Sequence, residues 1–445
     1  MDKSRAGFRK YLGLTFLIGF GFFTMGLMDP LYDTYIPIFL SKYIKSNTII
    51  SWVMVLDNIF AIFLIPFVSV WSDNTRTRIG RRMPFIVLLL PLTAICFSAI
   101  PYAAAASLGA LIAIVFALNL FKQAARGPVV ALMPDTIPGE FRSEANGVIN
   151  TMGGIASIVG TIGLARLMDL DIRLPLLGAT KDRLPFPLAG ILVVVATLCV
   201  FAFVRERNRD EVATEPRVPL KASLRGIAGE KDKSAFWILI SIFLWFWGYQ
   251  GILPFIGKYA KEVLGASAGN AALPAGMVGI GYALFAIPSG YIAHRFGRRR
   301  VIRTALLVIA AVLATLFLFE PITAAMGVSG GARFALFLPL MFVFGVFWGS
   351  IVTNSFPMLW QMASYGTMGI YTGLYYTFSQ GAAITGPIIT GPIIDLFGYP
   401  GIFAFGSAAM LCAFLVMGKV RKGEPKPNEG TIAEPARKAA GEKRA

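Results

Sequence analysis

Long apolar segments recur along almost the whole chain and constrain its fold more than any other feature. An α-helix needs about 20 residues to cross roughly 30 Å of hydrocarbon at about 1.5 Å per residue. None of the segments shows the alternating ten-residue pattern of a β-barrel. The sequence therefore predicts an all-α membrane protein. Twelve transmembrane helices are predicted at 11–40, 48–71, 85–104, 107–132, 144–168, 185–204, 234–257, 272–293, 304–320, 334–358, 366–392 and 399–418.

Composition and charge support the same class. Hydrophobic residues make up 56% of the 445 residues and charged residues only 15%, which is unlike a soluble domain. The net charge of +17 would suit a nucleic-acid partner, but 30 of the 41 Lys and Arg fall on one side of the predicted helices and nine on the other. The positive-inside bias explains this asymmetry. We expect a multi-pass protein of the cell membrane, plasma or inner, with both termini cytoplasmic and no nucleic-acid partner.

One long polar segment divides the predicted helices into six and six. We predict an N-terminal six-helix bundle at 1–204, a cytoplasmic linker at 205–233 and a C-terminal six-helix bundle at 234–419. The tail at 420–445 is rich in Lys, Glu, Pro and Ala, so it is expected to be disordered.

An internal repeat favours two related bundles. The stretch Trp71–Phe85, WSDNTRTRIGRRMPF, has a counterpart in Gly290–Val301, GYIAHRFGRRRV. Each follows the second predicted helix of its half and contains Gly-Arg-Arg. Two pseudo-symmetric six-helix bundles would produce this recurrence.

Two segments resemble a known family. The stretch from Ser72 to Phe85 resembles the loop signature of the major facilitator superfamily, in the form carried by sucrose/proton symporters of the glycoside/cation symporter type. The segments Ala125–Asp135 and Arg142–Gly160 are similar to the fourth and fifth helices of that group. The second half matches only at superfamily level. The resemblance implies a secondary active transporter that works by alternating access.

The resemblance also implies a conformational latch between the two bundles. A carboxylate can accept arginine hydrogen bonds, and glycine permits a sharp turn, so such contacts can form in one conformation and break in the other. The residues predicted for this latch are Asp73, Arg76, Gly80, Arg81 and Arg82. In the second copy His294 occupies the acidic position, so that copy lacks the carboxylate on which the predicted latch depends.

Ionisable residues within the spans are costly to bury, so each is a functional candidate. They are Asp29, Asp33, Asp57, Lys122 and Arg126. A carboxylate in a dry site takes up a proton more readily once its cationic partner moves away. We predict proton coupling by Asp57 or Asp29, with Arg126 as switching partner and Lys122 as the neighbouring cation. The alternative is a static ion pair that fixes packing.

Departures from related transporters bear on the coupling ion. Sodium-coupled melibiose-type permeases carry two acids one turn apart in the second helix, where this chain has Ala61 and Ile65. Plant sucrose transporters carry an acid in the fourth helix, where this chain has Asn119. Sodium coupling is therefore less favoured than proton coupling, and Asn119 becomes a candidate for substrate binding.

Polar and aromatic side chains of the second half suit a sugar. Aromatic faces stack on C–H groups, and amides and hydroxyls bind sugar hydroxyls. With Asp33 and Asn119, the predicted substrate-binding residues are Tyr249, Gln250, Asn354, Tyr375 and Gln380. The alternative for the residues of the second half is a place in the packed core.

These features predict proton-driven uptake of a neutral α-glucoside disaccharide, such as sucrose or maltose, by a monomer. No nucleotide-binding loop, metal-ligand cluster or nucleophile arrangement is present in the sequence, so we expect neither an enzyme nor a cofactor or metal. Three alternatives stay open. They are an exporter of drugs or lipid-like amphiphiles, a sodium-coupled sugar symporter, and a membrane enzyme or sensor.

Overall fold

The computed structural model is built almost entirely of helices. It describes residues 2–137, 142–175, 178–206, 232–362 and 368–424. Most of the predicted linker and tail, at 207–231 and 425–445, lies outside these ranges, so those two predictions stay predictions.

The first half contains six long helical segments. They are α1 (Asp2–Leu40), α2 (Asn47–Asn74), α3 (Met83–Ala106), α4 (Leu108–Thr136), α5 (Arg142–Ile158) and α6 (Pro185–Phe203). A π-helical turn at Val159–Leu164 and a 3₁₀ turn at Ala165–Asp169 extend α5. Before α6, the two-residue strands β1 (Arg173–Leu174) and β2 (Gly178–Ala179) pair antiparallel.

The second half repeats this arrangement with one added short helix. Its helices are α7 (Ser234–Glu262), α8 (Leu273–Phe296), α9 (Arg298–Phe317), α10 (Phe319–Ala325), α11 (Gly330–Trp360), α12 (Met368–Phe397) and α13 (Gly401–Met417). Within the described residues, ten helices are long and apolar enough to cross a membrane, namely all six of the first half together with α7, α8, α9 and α11. Helices α12 and α13 coincide with the last two predicted spans.

The two halves pack by the same pattern. In the first half α1 lies against α5 and α6, α3 against α4 and α6, and α2 against α4. In the second half α7 lies against α12 and α13, α9 against α11 and α13, and α8 against α11. This correspondence confirms the predicted fold of two pseudo-symmetric six-helix bundles.

Glycine allows the closest helix contacts in each half. A Cβ on Gly26 of α1 would lie 2.2 Å from the carbonyl oxygen of Gly153 in α5. In the second half, a Cβ on Gly345 of α11 would lie 2.2 Å from the carbonyl oxygen of Val278 in α8. These backbones touch because no side chain separates them, which is how membrane helices pack tightly without a hydrophobic driving force between them.

Among the described residues, the main helix contacts between the halves are those of α1 with α7, α2 with α12 and α5 with α8. Each of α1 and α7 also packs on helices of its own half, so these two lie at the centre of the molecule. We call the end where α1 begins the inner face and the end where α1 meets α2 the outer face. The charge bias predicts that the inner face is cytoplasmic.

Candidate functional site

Three ionisable side chains from three helices meet in the first half. The Lys122 Nζ of α4 donates to the Asp29 Oδ1 of α1 over 2.9 Å. The same nitrogen lies 3.9 Å from the Asp57 Oδ2 of α2. Lys122 sits at the middle of α4, and Asp29 and Asp57 each lie about three turns from the outer ends of α1 and α2. The sequence therefore named all three members, and the structure brings them together.

Burial differs among these three side chains. Lys122 is only 6% exposed, Asp57 is 19% exposed and Asp29 is 42% exposed. Because α1 is surrounded by helices of both halves, the exposed part of Asp29 borders the space between the halves rather than lipid. A lysine buried alone in a membrane would be strongly unfavourable, and the two carboxylates offset that cost.

Asn119 is linked to this cluster through Tyr32. Its Nδ2 donates to the Tyr32 hydroxyl over 2.8 Å, and the Lys122 Nζ lies 4.9 Å from the centroid of the Tyr32 ring. Both Asn119 and Tyr32 are buried. In this conformation the Asn119 side chain is fully enclosed and orients Tyr32, and its role in substrate binding stays a prediction.

Arg126 does not have the partner that the sequence predicted. It is exposed, and within the described ranges it forms no ion pair with a carboxylate. Arg126 lies one turn, about 6 Å, nearer the inner face than Lys122. Lys122 is level with Asp29 and Asp57, so it takes the position assigned to Arg126.

Asp33 lies one turn from Asp29 on α1, toward the outer face. It is half-buried and forms no ion pair with another described residue. It is nevertheless within electrostatic range of Asp29, Asp57 and Lys122, and it remains a candidate for contact with substrate.

Aromatic rings form one wall in the second half. The Tyr249 ring of α7 stacks on the Trp348 ring of α11, with centroids 4.2 Å apart and planes 9° from parallel. Phe344 continues the stack, 6.0 Å from Tyr249. Tyr249 is half-buried, so part of this wall stays accessible.

An amide pair links the halves next to the acidic cluster. The Gln380 Nε2 of α12 donates to the Asn58 Oδ1 of α2 over 3.1 Å. Gln250 is half-buried, and the described part of the chain offers it no hydrogen bond. Gln250 and Gln380 therefore remain candidates for substrate binding, and Asn58, which the sequence did not single out, joins them.

Two further predicted substrate residues belong to the core. Asn354 is 3% exposed and donates to the Ser350 carbonyl over 2.8 Å. Tyr375 is 5% exposed, and its hydroxyl lies 3.3 Å from the Ser355 Oγ. Neither side chain reaches the space between the halves in this conformation. In this conformation both residues lie in the packed core, which was the alternative to substrate binding, because their helix faces point into the second bundle.

The inner part of α5 carries polar residues that sequence reasoning missed. Asn146, Asn150 and Thr151 are all exposed. Asn146 and Asn150 are four residues apart, so they share one face of the helix. Polar side chains exposed within a membrane segment face water rather than lipid. The i, i+4 spacing was the available signal.

The outer face is closed by a carboxylate from the second half. Asp395 near the end of α12 accepts hydrogen bonds from the backbone N–H groups of Asn47 and Thr48, at 2.7 and 3.0 Å. Their side chains and the Ser46 hydroxyl donate to it as well. Asp395 thus caps the N-terminus of α2 across the two halves, where a negative charge is favoured.

A second contact at the outer face has its carboxylate in the first half and its donors in the second half. Asp169, at the end of the extended α5, accepts from the Ser267 hydroxyl at 2.5 Å and from the Gly269 N–H at 3.0 Å. Ser267 and Gly269 precede α8, just as Ser46 precedes α2. The hydrogen bonds found between the halves in the described ranges lie at this outer end or near mid-depth, so the outer face is closed.

Charged residues also cluster at the inner face of the first half. Asp135 of α4 accepts from Arg81 at 2.7 Å and from Arg82 at 2.9 Å, and Arg82 also pairs with Asp73. Gly80 has φ of +112°, a conformation that favours glycine.

Glu206, just after α6, completes this cluster. Its carboxylate accepts from the backbone N–H groups of Arg81, Arg82 and Met83 at 2.7 to 2.9 Å. It therefore caps the N-terminus of α3. Sequence reasoning missed this role, because Glu206 is 124 residues from Arg82 along the chain.

The predicted latch residues are assembled within one half. The guanidinium of Arg76 donates to backbone carbonyls of its own loop, including that of Asp73 over 2.7 Å. In the described ranges, the hydrogen bonds and ion pairs found for the latch side chains all stay within the first half. A bridge between the bundles is therefore not formed in this conformation, and the latch stays a prediction for another conformation.

Comparison with known proteins agrees with this fold. The family model described as the Major Facilitator Superfamily matches residues 14–386 and 258–443. A variant of the nucleoside transporter NupG has a TM-score of 0.69 at 12% identity, over 91% of this chain and 100% of that one. A bacterial homologue of the iron transporter ferroportin, in its inward-facing state, has a TM-score of 0.68 at 15% identity, over 92% and 98%.

A bacterial homologue of the human lysosomal transporter Spinster, inward-facing and unoccupied, has a TM-score of 0.68 at 14% identity, over 94% and 99%. Such low identities show the fold and no more. None of the curated protein sequences compared with this chain matches it. Since the family model covers well over half of the chain and the helix packing agrees, the chain belongs to the major facilitator superfamily.

Proposed function

We propose that this transporter couples proton movement to the uptake of a neutral α-glucoside disaccharide by alternating access. The observation that carries the coupling is the position of Lys122 between Asp29 and Asp57, at mid-depth and beside the space between the halves. A proton can reach Asp29, whose side chain is 42% exposed, but Lys122 itself is enclosed.

The cluster supplies a way to link proton binding to movement. In this conformation Lys122 contacts both carboxylates and offsets part of their charge. When the helices shift and Lys122 moves away from one of them, that carboxylate is left in a poorly solvated site and takes up a proton. The helices then return Lys122 to that carboxylate in the conformation that is open to the other side of the membrane, and the proton leaves to that side.

The sugar assignment rests on the resemblance of the first half to sucrose/proton symporters and on the accessible side chains near the cluster. The half-buried Tyr249 offers a ring face, and Gln250, Gln380 and Asn58 offer amides. A ring face together with several amides matches the mixed surface of a disaccharide. Asn354 and Tyr375 are buried in this conformation, so the proposal depends on the other polar groups.

Transport into proteoliposomes tests this proposal. The purified protein is reconstituted, a proton or sodium gradient is imposed, and labelled sucrose, maltose, a nucleoside and a hydrophobic cation are offered. We expect the disaccharides to accumulate with the proton gradient only. Movement of the hydrophobic cation alone would show an exporter instead, and accumulation with sodium alone would contradict proton coupling.

A variant separates coupling from binding. Asp57→Asn should abolish substrate-driven proton uptake while exchange of labelled for unlabelled substrate continues, because the amide cannot bind a proton. Asp171→Asn is the matched control, since Asp171 is an exposed carboxylate in the loop before α6. Unchanged uphill uptake by Asp57→Asn would remove Asp57 from the mechanism.

A further inference from the structure

A basic cavity lies at the inner face of the second half, away from the site described above. It has a volume of about 810 Å³ and is formed by the end of α8, the first turns of α9 and residues that include and follow the last turn of α13. Four arginines line it, Arg295, Arg299, Arg300 and Arg303. The one carboxylate in the lining belongs to Glu424, so the lining carries an excess of positive charge.

The four arginines have no carboxylate partner within the described ranges, where all ion pairs involve other cations. Glu424 is directed to the backbone, where it accepts from the N–H groups of Arg298 and Arg299 at 2.7 and 3.1 Å. Arg299 donates to the Gly418 carbonyl, and the Arg303 guanidinium lies 4.3 Å from the Phe414 ring centroid. These neutral contacts hold the cations in place without neutralising them.

The corresponding position in the first half is neutralised. There Asp135 and Asp73 pair with Arg81 and Arg82. The topological bias explains why arginines gather at the inner face of both halves. It does not explain why only one half supplies acids for them.

Two positions account for the difference. His294 stands in the second half where the first half has Asp73. The Arg299 guanidinium donates to the Gly418 carbonyl, whereas Arg82, its counterpart in the first half, pairs with the carboxylates of Asp73 and Asp135. An anion from outside the described residues would complete the second site.

The cavity wall turns apolar toward the middle of the membrane. Leu307 lies one turn beyond Arg303 on α9, lines the cavity and is 41% exposed. Phe414 lines the opposite side, and Leu411, three residues earlier on α13, is exposed. A molecule that fits has an anionic end at the inner face and a hydrocarbon end beside α9 and α13.

We propose that this cavity binds an anionic phospholipid of the leaflet at the inner face. Its phosphodiester lies among the four arginines of the lining, and an acyl chain lies along Leu307 and Phe414. Guanidinium groups bind phosphate oxygens in pairs, and basic pockets between transmembrane helices suit acidic headgroups. Inorganic phosphate offers similar anionic oxygens but nothing for the apolar wall.

Lipid binding to the purified full-length protein tests the proposal, with native mass spectrometry as the readout. The double variant Arg295→Gln/Arg300→Gln removes two exposed cations for which the described residues supply no hydrogen bond, so the fold should persist. The matched control Arg76→Gln/Arg78→Gln removes two exposed cations from the inner face of the first half. The probes are phosphatidylglycerol, phosphatidylcholine and inorganic phosphate.

We expect phosphatidylglycerol to bind the unaltered protein more tightly than phosphatidylcholine. Its affinity should fall roughly tenfold or more in Arg295→Gln/Arg300→Gln and stay unchanged in the control. An equal loss in both double variants would indicate general attraction to an anionic surface and overturn the proposal. Competition by inorganic phosphate at comparable concentrations would overturn the assignment to a lipid.

The acidic residues of the tail provide a last test. Glu429, Glu434 and Glu442 lie outside the described residues, and their carboxylates are competing anions within the tail. Replacing all three with glutamine should leave phosphatidylglycerol binding unchanged. If the lipid binds only after this replacement, the tail is the occupant and the proposal is wrong.

Discussion

The two halves of this transporter share one packing pattern but distribute charge differently. In the first half Lys122 is buried near mid-depth between two carboxylates. The buried lysine of the second half, Lys258, lies near the outer end of α7, where it donates to the Asn47 Oδ1 over 2.8 Å. Symmetry of the helices therefore does not extend to chemistry. We infer that the first half couples the proton and the second half supplies much of the wall for substrate.

The largest effect is expected from removing the central lysine. Lys122→Met leaves Asp29 and Asp57 without their cation, so at least one carboxylate stays protonated and substrate-driven proton uptake should be lost. Removing one partner of a buried pair also costs about 3 kcal/mol of stability. Proton uptake is followed with a pH-sensitive dye in proteoliposomes.

Lys258→Met is the matched variant in the second half. It should lower the rate of transport by weakening the outer closure, and the ratio of protons to substrate should not change. If Lys258→Met abolished coupling while Lys122→Met preserved it, the division of roles between the halves would be reversed.

The next largest difference is expected between the carboxylates at the inner faces of the two halves. Asp135 is buried and pairs with Arg81 and Arg82, so Asp135→Asn should cost about 3 kcal/mol. Glu424 accepts backbone N–H groups at an exposed helix end, so Glu424→Gln should cost about 1 kcal/mol. Apparent melting temperatures in detergent measure both. Equal shifts would show that the first-half cluster is no more stabilising than a helix cap.

The smallest effect concerns the two carboxylates that close the outer face. Asp395 accepts five hydrogen bonds from residues at the start of α2, and Asp169 accepts two. Asp395→Asn should therefore favour opening of the outer face by about 2 kcal/mol, and Asp169→Asn by about 1 kcal/mol.

Opening can be measured by labelling a single cysteine. Thr34 is 2% exposed, and its methyl group packs against Gly257 of the other half. Thr34→Cys, in a protein without Cys96, Cys199 and Cys412, should react with an impermeant maleimide faster in Asp395→Asn than in Asp169→Asn. The reverse order would show that Asp169 makes the stronger closure.

Sequence alone located the helices and the candidate charges. The spans could be predicted because hydrophobic thickness acts on each segment separately, and Lys122, Asp29 and Asp57 could be named because an ionisable residue in such a segment is costly wherever it lies. Arg126 was predicted as the switching partner of the acids, and in this conformation the cation in contact with them is Lys122. Relative depth and rotation of α1, α2 and α4 decide that contact, and the order of residues along the chain does not contain them.

The placement of helices, which the order of residues does not contain, also explains where the other side chains lie. Asn354 and Tyr375 have side chains suited to a sugar, but the orientation of α11 and α12 turns them into the core. Glu206 and Asp395 cap helices 124 and more than 340 residues away, so no local pattern marks them. The amino-acid sequence thus determined the membrane fold, its two halves and the residues able to carry charge in it. Tertiary packing alone decided which of those charges meet and which face is closed, because both depend on how separate helices are placed against one another.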